Sequence, residues 1–393
     1  MTRSVIIAGG GIAGTVAAIA LHDGGFAPVV HEAHERGADE RGAFVTLAVN
    51  GLNALRDLGL DPGVLLAAGF PTPRMVLRGA SGQPLAELPL GGPLPDGTTT
   101  TTIRRADLYA ALRTEAERRG IPVAYGKRLV HAATDGPGVS VRFADSTSAG
   151  ADLLVGADGL HSRTRRALDP AAPAPRYLGL LNAGGFTAGP VDPALRPALG
   201  VMQMAFGRRA FFGWAAAPDG SVWWFANPPR RTPAEPGEFT PDRWRAHLLE
   251  LLAGEAFPAA ALIEASTEVI GPWNTWDVPR LPVWHSDRIV LVGDAAHAVS
   301  PSSGQGASMA IEDAVTLGRC LARTTDMPAA LAAYEAARRK RVEKVVAYGR
   351  RSSSTKTAGP VGARIRDAMM PVVMRMLHRN GDPQAWILEH RVA

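Results

Sequence analysis

The stretch Ser4-Val5-Ile6-Ile7-Ala8-Gly9-Gly10-Gly11-Ile12-Ala13-Gly14, running on into Thr15–Asp23, decides the fold. Ser4–Ala8 is a short, β-rich apolar run of the kind that forms a buried parallel strand. The next six residues read G-x-G-x-x-G, and Thr15–Asp23 carries small and apolar residues at helical spacing. Phe26–Glu32 (FAPVVHE) reads as the following strand. Strand, glycine turn, helix and strand make a βαβ unit. In such a unit Gly9 permits the tight turn, Gly11 lets the backbone approach a pyrophosphate, and Gly14 lets helix and strand pack closely. The helix N-terminus, with Ile12 and Ala13 in its first turn, offers N–H groups and a positive dipole end to phosphates. Glu32 ends the second strand, where a carboxylate accepts both ribose hydroxyls of an adenosine and repels a 2′-phosphate. This unit predicts a bound dinucleotide and leaves NAD and FAD as alternatives.

Two further segments repeat the strand-to-turn-to-helix logic far along the chain. Val155-Gly156-Ala157-Asp158-Gly159-Leu160-His161-Ser162-Arg163-Thr164-Arg165 ends a strand in an Asp-Gly turn and enters a helix. Asp158 is read either as a ligand-side carboxylate or, with Ser162, as a plain helix cap. Arg288–Val292 (RIVLV) delivers Gly293-Asp294-Ala295-Ala296-His297, then Pro301, Gly304-Gln305-Gly306 and Glu312-Asp313-Ala314. Asp294 is placed to accept a hydrogen bond from a sugar-alcohol chain. The N–H groups of Gly304–Gly306 open a helix and suit negative charge. His297 reads as a structural histidine rather than a base.

Elsewhere, helices are expected over Leu52–Leu58, Arg104–Arg119, Ala307–Thr324 and Pro328–Gly349, and strands over Pro122–Tyr125, Val139–Phe143 and Asp152–Gly156. Between Leu178 and Pro229 the texture turns β-rich and aromatic. Ala210–Ala217 and Ser221–Ala226 flank Pro218-Asp219-Gly220 as a hairpin. Ser352–Gly362 is polar and reads as a loop, with a helical tail after it. The fold class is therefore α/β: a Rossmann-like nucleotide-binding domain with an inserted antiparallel β-sheet substrate domain and a C-terminal helical segment. The discontinuous binding domain takes residues 1–75, 98–175 and 276–340, the sheet domain 76–97 and 176–275, and the tail 341–393.

Composition narrows the function classes. The 393 residues, 46% of them apolar, suffice for a sizeable core. The net charge is +5, and only four of the 42 cationic residues are lysines. The arginines are dispersed, and the run Arg338–Arg341 reads as a solvated helix face, so nucleic-acid binding is not expected. Cys320 is the one cysteine, which excludes an internal disulfide and a cysteine-held metal, and no metal site is expected. Neither a signal peptide nor an apolar run long enough to span a membrane is apparent, and a cytoplasmic location is expected.

The three segments in this order resemble the single-component FAD-dependent aromatic hydroxylases, the group typified by para-hydroxybenzoate hydroxylase, over most of residues 1–345. The resemblance implies FAD as the cofactor, NADH or NADPH as a transient reductant, and O₂ as co-substrate. Oxygen would pass from a flavin C4a-hydroperoxide to an aromatic or hydrophobic small molecule by hydroxylation, epoxidation or Baeyer–Villiger-like insertion. It assigns Gly9, Gly11, Gly14 and Glu32 to the ADP half, and Asp158 to the segment serving flavin and reductant. Gly293 and Asp294 go to the ribityl and pyrophosphate region, and Pro301, Gly304, Gln305 and Gly306 to the isoalloxazine. Arg105 matches the family's helix-start arginine, with Arg104 a rival in register, and Arg36 is a further cofactor candidate. Strand alternation nominates Met202, Met204, Phe212, Trp214 and Trp224 as the substrate wall. Arg208 and Arg209 are read either as carboxylate anchors or as hairpin-end surface. The C-terminal helices are read as a cap over the site or as a homodimer surface. A flavin-dependent halogenase and a non-catalytic FAD-binding protein are the alternatives; Trp273-Asn274-Thr275-Trp276 lacks the halogenase spacing.

Overall fold

The computed structural model describes residues 2–35, 42–356, 360–378 and 382–392. Its centre is a five-stranded sheet in the order 289–291, 153–156, 4–8, 27–31, 123–124, with every pair parallel. Ser4–Ala8 sits in the middle, and the chain leaves it in one direction to Ala27–His31 and returns on the other side at Leu153–Gly156. Open parallel sheets bind ligands at the carboxyl ends of their strands, at such a reversal of order. The three glycine-bearing segments follow the strands 4–8, 153–156 and 289–291, which are neighbours. That adjacency brings together residues far apart in sequence.

Helix Ile12–Asp23 covers one face and packs on helix Gly306–Arg323. Small residues let the two axes approach: a Cβ on Gly318 would lie 2.8 Å from that of Ala20. An antiparallel three-stranded sheet, 129–135, 138–143 and 148–151, covers the other face with Val139, Val141 and Phe143.

The second large sheet has seven strands in the order 266–277, 176–187, 222–227, 211–216, 201–206, 74–78, 84–89. The hairpin expected around Pro218-Asp219-Gly220 is present, with Trp214 opposite Trp224 and Gly220 at φ +83°. Helices Pro241–Leu251 and Ala259–Glu264 pack against one face of this sheet through Trp244, Leu248, Leu262 and Ile263. The opposite face meets Phe44 of the strand Phe44–Leu47.

Two expectations from the sequence change here. Ser352–Lys356 is the last turn and a half of one helix, Met327–Lys356, rather than loop. Ser353 Oγ donates to the Gly349 carbonyl within it and meets the hydroxyl of Ser300, outside the helix, at 2.6 Å. The run Arg338–Arg341 is no solvated face either. Arg338 is 2% exposed, and Arg341 is mostly buried against Glu312. Opposite charge on the neighbouring helix explains the burial, and a single helix's charge pattern does not show it.

Candidate cofactor and substrate site

Backbone hydrogen bonds join the three segments. Gly9 N donates to the His31 carbonyl at 2.9 Å, Ala157 N to the Ala8 carbonyl at 2.9 Å and Val292 N to the Gly156 carbonyl at 3.0 Å. Gly14 is obligatory on steric grounds, since a Cβ there would lie 1.9 Å from the Gly9 carbonyl oxygen. Gly11 is different: a Cβ there would meet nothing within 4 Å. The Gly11 backbone therefore faces open space above the start of helix 12–23, as does that of Gly306 at the start of helix 306–323. Glu32 braces the turn, accepting from Gly10 N at 2.7 Å and His34 N at 2.9 Å. Its oxygens keep lone pairs for further donors.

Asp158 is engaged as a helix cap. It accepts from Arg163 N at 2.8 Å, Thr164 N at 2.9 Å, Thr164 Oγ1 at 3.0 Å and the Ser162 hydroxyl. Arg165, buried beneath it, donates to the Leu160 carbonyl at 2.6 Å and the Ala295 carbonyl at 2.9 Å. It thus ties the second segment to the third.

Asp294 starts the short helix Asp294–His297 and keeps solvent-accessible surface. It is nonetheless enclosed by protein, and that burial pushes its carboxyl pKa up against the pull of His297 and Arg105. Burial works against the charge on Arg105, and Tyr109 and Asp294 outweigh it and raise its pKa. Arg105 donates to the Tyr109 hydroxyl at 2.6 Å, while its buried Nε has no partner among the described residues. An unpaired guanidinium donor and open glycine backbone at two helix starts fit a phosphate-bearing cofactor. Arg36 lies outside the described residues.

Behind Gly304–Gly306 runs a buried polar network. Pro301 opens a short 3₁₀ turn, Gly304 closes it at φ +64°, and Gln305 is buried. Asn50 Nδ2 donates to Gln305 Oε1 at 3.0 Å and Glu312 Oε1 at 2.7 Å, and its Oδ1 has no partner among the described residues. Arg338 bridges Glu312 and Asp313, and Arg341 also meets Glu312 at 2.7 Å. Asp313 in turn accepts from Gly293 N at 2.9 Å and pairs with His297 Nε2. Burial alone would raise the Asp313 pKa; His297 and Arg338 overcome it and hold the carboxyl at about 2. His297 is engaged in this network.

The aromatic wall differs from the one predicted. Gln203 pairs with Trp214 and Ala205 with Phe212, so Met204 shares its face with Gly213 and not with the two aromatics. Phe212, Trp214 and Trp224 point to the helix-covered side, among Trp244, Leu248 and Phe257. They are core of the inserted sheet. Alternation correctly separated the two faces of each strand, but the phase between strands depends on pairing register. Met202 and Met204 are on the face toward the nucleotide-binding unit, with Phe44, Phe186, Trp223 and Phe225. Phe44 stands 5.8 Å from the Trp223 ring and 6.1 Å from that of Phe225. Arg104 lies over Phe186 at 4.3 Å, so the adjacent arginines diverge, Arg104 to this wall and Arg105 toward Tyr109 and Asp294. Arg208 and Arg209 are exposed at the hairpin end.

Comparison with known proteins agrees with this geometry. A family model described as an FAD binding domain matches residues 2–348. Aurachin C monooxygenase/isomerase of Stigmatella aurantiaca is 34% identical over 348 residues, covering 88% of this chain and 87% of that protein. FAD-dependent urate hydroxylase of Klebsiella pneumoniae is 33% identical over 353 residues, covering 88% of each. The chain belongs to the single-component FAD-dependent aromatic hydroxylases. The crystal structure of Klebsiella pneumoniae HpxO with FAD and uric acid superimposes with a TM-score of 0.84 at 29% identity, over 98% of this chain and 97% of that one.

This hydroxylase is thus an FAD-dependent monooxygenase, and the names of its relatives disfavour the halogenase alternative. No helix among the described residues is long and apolar enough to cross a membrane. No group of His, Cys, Asp and Glu among them is arranged to hold a metal ion. Sequence reading missed Phe44, Phe186, Trp223 and Phe225, whose partners lie on different strands. It also missed Asn50, which nothing in its own helix marks as buried beside Glu312.

Proposed function

We propose that this hydroxylase oxygenates a flat, hydroxylated aromatic or heteroaromatic molecule held between the flavin and the wall of Phe44, Phe186, Met202, Met204, Trp223 and Phe225. The apolar aromatic face turned toward Phe44 of the nucleotide-binding unit carries this reading. Its relatives include proteins named for urate and 6-hydroxynicotinate.

Gly9, Gly11, Ile12, Ala13, Gly14 and Glu32 hold the ADP half of FAD. Arg105 donates to its phosphates. Gly293 and Asp294 bind the ribityl and pyrophosphate region, Asp294 accepting from a hydroxyl. Pro301, Gly304, Gln305 and Gly306 line the isoalloxazine, their N–H groups favouring negative charge on the ring. Asp158 acts at one remove, by capping the helix that carries Arg165. Held by these residues, FAD would supply hydride acceptance from NADH or NADPH and activation of O₂, the chemistry by which one oxygen atom would pass to the substrate and the other would leave as water. The protein orients the ring and keeps water out. We place the enzyme in the cytoplasm.

The test is NAD(P)H oxidation by the FAD-loaded protein across a panel of hydroxyarenes. The expected result is substrate-stimulated oxidation, with one ¹⁸O atom from ¹⁸O₂ in the product. Oxidation that yields only H₂O₂ with every compound overturns the proposal.

A further inference from the structure

The helix Met327–Lys356 ends by delivering an amine onto the aromatic wall. Lys356 Nζ lies 3.9 Å from the Phe211 ring centroid and 5.8 Å from that of Phe225. Phe225 belongs to the face that meets Phe44. The Phe211 ring lies 6.0 Å from it, tilted by 38°. The amine is held in place by a relay of buried amides. Lys356 Nζ donates to Asn227 Oδ1 at 2.6 Å, Asn227 Nδ2 to Asn182 Oδ1 at 2.8 Å, and Asn182 Nδ2 to Thr275 Oγ1 at 2.7 Å. Asn227 and Asn182 are each 4% exposed. Such a relay costs desolvation at every member, so a lysine that served only to cover apolar surface would not need it.

We propose that Lys356 binds the substrate through an acidic ring hydroxyl, taking its proton. This inference rests on the reading of the site as one for a hydroxylated aromatic. The Nζ has three hydrogen-bonding positions, and Asn227 uses one of them. Burial lowers the Lys356 pKa to about 7, so near neutrality a large fraction is free amine with a lone pair. The hydroxyl O–H bond breaks, an N–H bond forms, and a phenolate–ammonium pair remains, with no change in oxidation state. The phenolate is the more electron-rich ring toward an electrophilic oxygen.

Among the described residues, the groups around the amine leave this titration to Lys356. From the sheet it meets Asn227, Phe211 and Phe225. Asp277 of the strand 266–277 is paired with Arg176 and with Arg350, one and a half turns back along Lys356's own helix. From the helix Pro360–His378, Arg366 is paired with Asp367 and lies over Phe206. Arg104, at the other end of the wall, lies over Phe186.

The test uses FAD-loaded wild type and Lys356→Met, with 2-naphthol, 4-hydroxyquinoline and salicylate beside their O-methyl ethers. Binding is read from flavin difference spectra between pH 5.5 and 10. Wild type should bind at least one hydroxyarene with a bell-shaped pH dependence whose acid limb lies near 7. Lys356→Met should weaken that binding more than tenfold and abolish the acid limb, and change ether binding less than twofold. Trace acetylation of the holoenzyme gives a second readout, and with four lysines in the chain it resolves each. Lys356 should label with an apparent pKa near 7 and be protected by the hydroxyarene but not by its ether. Hydroxyarene binding that Lys356→Met retains, or an equal loss for hydroxyarene and ether, overturns the inference and leaves the proposed function standing. Failure of wild type to bind any hydroxyarene overturns both.

Discussion

Arg338 donates from Nε to Asp313 Oδ1 at 2.7 Å in a space that water does not reach. The same guanidinium meets Glu312 at 2.6 Å, so one cation bridges two buried carboxylates behind the turn Gly304–Gly306. Removing it leaves Glu312 with Arg341 and Asp313 with His297, each buried carboxylate short of one partner. Arg338→Met should cost about 3–5 kcal/mol of stability, as breaking a buried pair from one side does. Urea unfolding of the FAD-free protein measures this, and a loss below about 1 kcal/mol would show that the network is expendable.

The same pair predicts an acid limb. The folded Asp313 carboxyl is held at about 2, below its ordinary 3.8. A depressed carboxylate pKa contributes stability that is complete above the unfolded value and is lost as pH falls through the folded one. The urea midpoint should therefore fall as pH drops from about 4 toward 2. Asp313→Asn, less stable at neutral pH, should show a shallower decline over that window.

Two glycines of one turn should fail differently. Gly14→Ala places a methyl 1.9 Å from a backbone oxygen and should lower the melting temperature of the FAD-free protein. Gly11→Ala meets nothing within 4 Å and should leave that temperature near wild type. It should weaken FAD binding at least about tenfold, or about 1.4 kcal/mol, because its methyl takes space the pyrophosphate needs. Flavin-fluorescence titration beside thermal melts separates the two. Unchanged FAD affinity in Gly11→Ala would remove this turn from the cofactor site.

The two faces of the seven-stranded sheet should also separate in mutants. Phe225→Ala removes a ring from the wall facing Phe44 and should raise the substrate KM by about tenfold, in keeping with roughly 0.5–1.5 kcal/mol per aromatic pair. FAD content should stay near wild type. Trp214→Ala, in the core under helices 241–251 and 259–264, should cost about 3–5 kcal/mol of stability with little change in KM for the protein that remains folded. A KM effect from Trp214→Ala without destabilisation would return that residue to the substrate wall.

Local sequence carried the nucleotide-binding half of this protein. A glycine turn between an apolar strand and a small-residue helix is a short-range pattern, and so are the strand ends before Asp158 and Gly293. Each specifies its own backbone and, by steric need, where glycine must stand. The convergence of the three was inferred from resemblance. Its physical cause, the parallel order 289–291, 153–156, 4–8, is a matter of long-range pairing. Tertiary structure alone settled which aromatics lie on the face toward Phe44, because side-chain phase between strands depends on register and Gln203 pairs with Trp214. It likewise settled that Arg338 is buried, since its two carboxylates come from another helix, and that Lys356 reaches the wall, since a polar stretch read as loop continues as helix. Backbone geometry is dictated by neighbours in the chain, whereas burial and the partner of a charge are dictated by neighbours in space.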